Sequence, residues 1–155
     1  MIITCFASTA LGRIGIQAND SAVTRLFLPQ DNLPDEPDYG TNPLIGRAFL
    51  ELDAYLAGEL RDFTIPLRPQ GTPFMCRVWQ ALRDIPYGQT RSYMQIAALL
   101  GNPKAARAVG SANNRNPIPL FIPCHRVVGA DGSLTGFRGG LEMKRKLLEL
   151  ERGKS

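Results

Sequence analysis

Pro123-Cys124-His125-Arg126-Val127 places the chain's single histidine directly after one of its three cysteines. The approach, Asn116-Pro117-Ile118-Pro119-Leu120-Phe121-Ile122, is apolar and stiffened by prolines. A thiol becomes a strong nucleophile when a neighbour takes its proton or stabilises the thiolate, and an imidazole suits that task near neutral pH. Adjacency alone does not suffice, because neighbours on a strand point to opposite faces. Base action by His125 on Cys124 needs a bridging water or a bend at Pro123. The competing reading is a buried structural cysteine beside a capping histidine.

A third group can complete this pair. The closing helix is expected from about Leu141 to Glu151, with Leu147, Leu148 and Leu150 on its buried edge and Lys144, Arg145 and Lys146 on its wet face. Glu151 follows Leu147 by four residues and Leu148 by three, so it stands beside the apolar stripe and can turn inward. If it reaches His125, it orients the imidazole and favours its charged form. That is the nucleophile, base and orienter logic of a triad. A solvated C-terminal glutamate is the alternative.

Composition limits what these residues can belong to. With 155 residues, 44% hydrophobic and 21% charged, the chain has the make-up of a soluble globular protein of one domain or two small ones. No apolar run approaches the ~20 residues that span a bilayer, and Met1-Ile2-Ile3-Thr4-Cys5-Phe6 lacks the basic start of a signal peptide. Cys5, Cys76 and Cys124 are too scattered for a disulfide framework, which points to a reducing cytoplasm. The usual zinc spacings are absent, so no metal or other cofactor is expected. Charge is divided unevenly. Residues 1–70 hold five arginines, no lysine and nine acids, whereas residues 71–155 hold thirteen basic residues and five acids. The positive excess lies with Cys124 and suggests a polyanionic partner, nucleic acid first. Ordinary solvated surface charge stays open beside it.

The elements that must position the site read as follows. Met1 to Ser8, Gly12 to Ala18 and Ala22 to Leu28 predict a three-stranded antiparallel meander. Residues 29–43, rich in proline and acids, predict a loop. Asn42-Pro43 then caps a helix carrying Leu44, Ile45, Ala48, Phe49, Leu52, Tyr55 and Leu56 at helical spacing. Nothing in this half reads as chemical. Ile65 to Gly71 is the linker candidate, giving a supporting domain over 1–68 and a second domain over 69–155. There Thr72-Pro73 opens a helix with Phe74, Val78, Leu82 and Ile85 buried, and Cys76 and Trp79 as packing residues.

Ser92-Tyr93-Met94-Gln95 is a capping box for a helix that stops at Gly101. Asn102-Pro103 is expected to cap a second helix from Lys104 to Ala112. Two helices joined by a short glycine-containing turn form a helix-turn-helix pattern, although an ordinary helix pair packed through alanines fits as well. The second helix is built of small residues, including Ala105, Ala106 and Gly110, which let its backbone approach a surface closely. Lys104, Arg107 and Arg115 add positive charge. Val127 to Thr135 predicts a hairpin turning at Asp131-Gly132, and Gly136 to Gly140 a loop. The fold class is α+β: a small antiparallel sheet with a helix, then a mostly helical, winged-helix-like domain. A DNA-binding protein with its reagent in an apolar pocket must extrude a nucleotide to reach it. Arg107 is placed to fill the gap such a base leaves.

Asn102-Pro103-Lys104-Ala105-Ala106-Arg107-Ala108-Val109-Gly110, then Asn116-Pro117 and Ile122-Pro123-Cys124-His125-Arg126-Val127-Val128, resemble the O6-alkylguanine-DNA alkyltransferases. The resemblance is specific from about Thr72 to Glu151 and general before that. It implies direct repair of duplex DNA carrying O6-alkylguanine by a single-use transfer, with no cofactor, no membrane and a monomeric protein. Cys124 matches the alkyl acceptor, His125 the histidine that activates it through a water, and Glu151 the acid ending that relay. Asn116 matches the asparagine bracing the active-site turn. Tyr93 matches the tyrosine that assists extrusion and protonates the leaving group, and Arg107 the finger replacing the flipped base. Ser92, Lys104, Ala105, Ala106, Gly110 and Arg115 fall in the DNA-binding helices or beside them. The Cys124 and Val127 carbonyls match guanine-recognition groups. Phe137 stands where many members have Tyr, and Arg138 where a small residue such as Ser is common. Some members bind zinc in the N-terminal half, and that ligand set is missing here. Three rivals remain on residues alone: a Cys-His hydrolase, a lesion binder without an acceptor, and a transcriptional regulator.

Overall fold

The computed structural model describes residues 1–31, 40 and 42–153. Most of the loop expected over 29–43 therefore lies outside the described residues. Strands β1 (Ile3–Thr9), β2 (Gly12–Ala18) and β3 (Val23–Phe27) form the antiparallel meander, with Cys5 opposite Ile16 and Gln17 opposite Arg25. Alternation along β2 turns Ile14, Ile16 and Ala18 inward, where all three are buried. Helix α1 (Pro43–Leu56) covers that face. It starts where expected, with the Asn42 side chain accepting from the Leu44 and Ile45 amides and Pro43 at the first turn. Ile45, Ala48, Leu52 and Tyr55 form its buried stripe.

The chain then crosses by way of Ile65 to Gly71, but this stretch is no free tether. Its Leu67 bridges Val23 in parallel, the Val23 amide donates to the Pro66 carbonyl at 2.9 Å, and the Arg68 amide donates to Val23 at 2.9 Å. On the same β3 edge, the Leu26 amide donates to the Pro117 carbonyl at 2.8 Å. The sheet therefore grips the segment that leads to Cys124.

Helix α2 (Pro73–Arg83) is capped by Thr72 as expected, and Trp79 is buried with its indole N–H donating to the Ala112 carbonyl at 2.9 Å. Strand β4 (Arg91–Ser92) leads into α3 (Tyr93–Leu99), which shows the full capping box between Ser92 and Gln95. Gly101, at φ +83°, supplies the left-handed turn after α3. The next helix, α4, runs Ala106–Asn114, not Lys104 to Ala112, and Ala105 sits at its cap without a side-chain bond. Asn102 instead accepts the Lys104 amide at 3.2 Å within a local turn. That turn competes with helix for the same backbone, which shifts the start by two residues. The helix-turn-helix itself is present as α3 and α4.

The hairpin expected over 127–135 does not form. Val127–Val128, strand β5, pairs in parallel with β4, and beyond it a tight turn closes from the Gly129 amide to the Ser133 carbonyl at 2.8 Å. The would-be second arm is drawn elsewhere, because the Thr135 carbonyl accepts from Tyr93 and Lys144. Helix α5 (Leu141–Glu151) closes the described chain. Apolar packing is continuous from the sheet through α1 and α2 to Leu147. Among the described residues no helix is long and apolar enough to cross a membrane.

Candidate active site

Cys124, His125 and Arg126 form a single 3-10 turn rather than a strand, so the alternation argument against cooperation between neighbours no longer applies. What aims this turn is the stretch before it. Leu120 has φ +75°, a left-handed conformation that costs a non-glycine residue ~1–2 kcal/mol. Asn116, 1% exposed, holds the chain in that shape. Its Oδ1 accepts the Ile118 amide at 3.0 Å and its Nδ2 donates to the Ile122 carbonyl at 2.9 Å, spanning the bend from both ends.

Behind the turn lies a buried polar cluster. His125 is 0% exposed, and its Nε2 meets Glu151 Oε2 at 2.7 Å. Arg126 grips the same carboxylate through Nε to Oε1 at 2.8 Å and a second nitrogen to Oε2 at 3.1 Å, and reaches the Ile85 carbonyl at 2.7 Å. The Gly88 amide adds a fourth donor to Glu151, at 3.2 Å. Tyr55 supplies a fifth through its hydroxyl, which also lies 3.3 Å from His125 Nε2. Burial pushes the Glu151 carboxyl up, but its bonds to His125, Arg126 and Tyr55 outweigh that and hold it at about 2. For His125 burial wins over the attraction of Glu151, and the imidazole is driven down toward its neutral form.

These two results set the tautomer. An ionised carboxylate only accepts, so Nε2 carries the ring proton and donates it. Nδ1 is left with its lone pair, buried and without a protein partner. A neutral imidazole held this way can take a proton. Cys124 is 4% exposed, and burial pushes its thiol up, against the Asn116 side chain and the charges of Arg138 and Lys144. The sulfur is therefore held as a thiol at rest.

In front, the Tyr93 hydroxyl donates to the Thr135 carbonyl at 3.2 Å and accepts from the Thr135 hydroxyl at 3.3 Å. Parallel pairing of Arg91 with Val127 and Ser92 with Val128 brings Tyr93 beside the residues that follow the cysteine. Val127 and Phe137 are buried. Asn113 donates to the Cys124 carbonyl at 3.3 Å, and its own Oδ1 is buried without a protein partner. Arg138 is tied back, with Nε on Asp31 at 3.0 Å and another nitrogen on the Asn116 carbonyl at 2.9 Å. Lys104, Arg107 and Arg115 are exposed, and Ala105, Ala106 and Gly110 are half-buried along α4. The site and this helix face are thus joined through β4 and β5.

Tyr55, Asp31, Arg126 and Lys144 were not singled out from the sequence. Tyr55 and Lys144 each sit at helical spacing within an apolar stripe, so a polar-ended side chain on a buried face was the available signal. Lys144 is wholly buried, not on the wet face. The N-terminal half, read as chemically silent, delivers Tyr55 to the relay and Asp31 to Arg138. Among the described residues no group of three His, Cys, Asp or Glu side chains is placed to hold a metal.

Two family models cover nearly the whole chain. One, described as 6-O-methylguanine DNA methyltransferase, ribonuclease-like domain, matches residues 2–69, and the other, 6-O-methylguanine DNA methyltransferase, DNA binding domain, matches residues 73–153. A constitutive methylated-DNA--protein-cysteine methyltransferase of Bacillus subtilis is 46% identical, covering 94% of this chain and 93% of the relative. The Mycobacterium tuberculosis protein of the same name is 47% identical, covering 94% and 89%. A crystal structure of Mycobacterium tuberculosis OGT in complex with DNA aligns with a TM-score of 0.89 at 45% identity, covering 97% of this chain and 92% of that one.

Proposed function

The chain belongs to the 6-O-methylguanine DNA methyltransferase family, and from that premise we propose that it moves an alkyl group from O6-alkylguanine in duplex DNA onto its own Cys124. The transfer is direct DNA repair and happens once per molecule. Residues 1–68 act as the supporting domain and residues 69–155 as the DNA-binding and alkyl-acceptor domain. The observation that carries the reading is the buried relay in which ionised Glu151 orients His125 at 2.7 Å and leaves Nδ1 open to a proton.

The chemistry follows from that arrangement. The Cys124 proton passes to His125 Nδ1 through a water, which has polar partners on both sides. The resulting imidazolium is paired with Glu151. The thiolate attacks the alkyl carbon in line, a carbon–sulfur bond forms, the carbon–O6 bond breaks, and guanine takes the electron pair. Tyr93 gives its phenolic proton to the guanine anion and is reprotonated by the proton that left Cys124. The product thioether has no leaving group for water to displace under mild conditions. The protein is spent.

A sulfur this deep reaches only a base swung out of the stack. Arg107, exposed on α4, fills the space left in the duplex. Ala105, Ala106 and Gly110 let the α4 backbone lie close to the DNA, and Lys104, Arg115 and the start of α3 at Ser92 meet phosphates. Entry of the base displaces the Tyr93–Thr135 contacts. The Cys124 and Val127 carbonyls then read the guanine edge, Phe137 forms a wall, and Arg138 stands behind the bracing Asn116. The same reading puts the protein in a reducing cytoplasm, where a thiol stays unpaired, and has it work as a monomer.

The test is stoichiometry. With excess duplex carrying O6-methylguanine, methyl loss from DNA should stop at one per protein molecule, with the intact protein heavier by one methyl substitution. Many turnovers with unchanged protein mass would instead favour the hydrolase reading.

A further inference from the structure

The N-terminal half touches the approach to Cys124 at several points along one edge. The Leu26 amide donates to the Pro117 carbonyl at 2.8 Å. Just beyond β3, Gln30 Nε2 donates to the Gly139 carbonyl at 2.6 Å, and Asp31 Oδ1 meets Arg138 Nε at 3.0 Å. Asp31 is itself fixed in a closed turn. Its Oδ2 accepts the Leu28 amide at 2.8 Å, and its own amide donates to the Leu28 carbonyl at 3.0 Å. The loop carrying Arg138 is pressed against this turn, since a Cβ at Gly139 would stand 3.3 Å from Leu28 Cδ1.

Arg138 carries that hold inward. One of its terminal nitrogens donates to the Asn116 main-chain carbonyl at 2.9 Å, while the Asn116 side chain braces the bend ahead of Cys124 at Ile118 and Ile122. With Leu26 on Pro117, two consecutive carbonyls at the start of the bend are pinned from the N-terminal half, one directly and one through Arg138. A guanidinium suits this task, because its donors form a rigid planar fork and hold carboxylate and carbonyl at a set separation. Lys104, Arg107 and Arg115 stand exposed on α4 or beside it, whereas Arg138 has both of these contacts inside the protein.

We propose, resting on the function above, that Asp31 and Arg138 are positioning residues, a two-residue strap through which the N-terminal half sets the bend that aims Cys124. The Asp31 and Arg138 side chains keep 16% and 34% of their surface exposed, so the ion pair by itself contributes little to stability. Its effect lies in where the sulfur stands, and an in-line attack is lost quickly as the nucleophile moves off its line.

The experiment takes wild type, Asp31→Asn, Arg138→Met, Arg138→Lys and the double variant Asp31→Asn with Arg138→Met. Each is mixed with excess O6-methylguanine duplex, and the limiting single-turnover rate is separated from the duplex concentration that gives half of it. Asp31→Asn is the mildest change, because its amide oxygen can keep the Leu28 amide while its NH2 is turned on Arg138. The limiting rate should fall ~10-fold in Asp31→Asn and in Arg138→Met, and the double variant should fall no further, as expected of two residues acting as one unit. Half-saturation should stay within about twofold, and the melting temperature should change by less than about 4 °C. Arg138→Lys keeps the charge without the fork and should lose most of the same rate. A limiting rate in Asp31→Asn within about twofold of wild type overturns the proposal, as do losses that multiply in the double variant. Full activity in Arg138→Lys would make charge and not geometry the agent, and a weaker half-saturation with an unchanged limiting rate would make Arg138 a phosphate contact; either result overturns the strap. Wild-type protein that gains no methyl defeats the function reading beneath it, which is a separate failure from all of these.

Discussion

Glu151→Gln slows methyl transfer by about 10²–10⁴-fold, the range that an oriented general base contributes. The amide presents one acceptor oxygen and two N–H donors where the carboxylate accepted five bonds. Either Arg126 loses its bidentate grip or the amide nitrogen is pressed against His125 Nε2–H. In both cases His125 loses the anion that orients it and pairs with its imidazolium. Stability falls too, by about 3–5 kcal/mol, because Arg126 is left as a buried charge without its anion. Tyr55→Phe is the graded comparison. It removes a single neutral donor to an ionised group, about 1.5–3 kcal/mol, and leaves His125 and Arg126 on the carboxylate. Its rate loss is therefore much smaller than that of Glu151→Gln. Acid acts on the same cluster. Glu151, held at about 2 in the fold, contributes stability that is present above the ordinary carboxylate range and lost as pH falls toward 2. His125, driven down by burial, works in the same direction: below about pH 6.5 the unfolded chain takes a proton that the fold refuses. Thermal melts of wild type across acid pH should therefore decline steadily, and those of Glu151→Gln should decline less.

Asn116→Ala costs about 2–4 kcal/mol and most of the transfer rate. Two buried hydrogen bonds vanish: the Ile118 amide loses its partner, and the Ile122 carbonyl keeps only the Cys124 amide, at 2.8 Å. The larger loss is geometric. Leu120, at φ +75°, sits in a bend that Asn116 holds at both ends and that the Ile122 amide closes by donating to the Ile118 carbonyl at 2.9 Å. Released, it relaxes to an ordinary conformation and carries Pro123 and Cys124 with it. Leu120→Gly separates the effects. Glycine tolerates the left-handed region, so in the Asn116→Ala background it should recover part of the rate. Chemical denaturation and single-turnover rates on the four proteins measure both quantities.

Local signals mark the helix starts wherever a side chain and a proline or a capping box act together, at Asn42-Pro43, Thr72-Pro73 and Ser92 with Gln95. They failed at Asn102, whose side chain serves a turn instead of a helix. They failed again at Asp131-Gly132, where the turn is made but Thr135 is claimed by two donors from other elements. Cys124, His125 and Glu151 stood out because their types are rare and the resemblance names them. Lys144 was misread although it precedes Leu147 by three residues and Leu148 by four, which puts it on the apolar face. A lysine's charge overrode a periodicity that was correct. Tyr55 was invisible as chemistry for another reason: its partner lies 96 residues away, and only the packing of α1 against the second half brings its hydroxyl to Glu151.

The central claim, that Cys124 is the acceptor, is tested most directly by locating the methyl group. Wild type and Cys124→Ser are each incubated with duplex containing O6-methylguanine, digested, and mapped by tandem mass spectrometry. The expected result is one methyl on the peptide carrying Pro123-Cys124-His125, localised to Cys124 in wild type and absent from every peptide of the variant. A methyl found on Cys5 or Cys76, or on the variant as readily as on wild type, contradicts it.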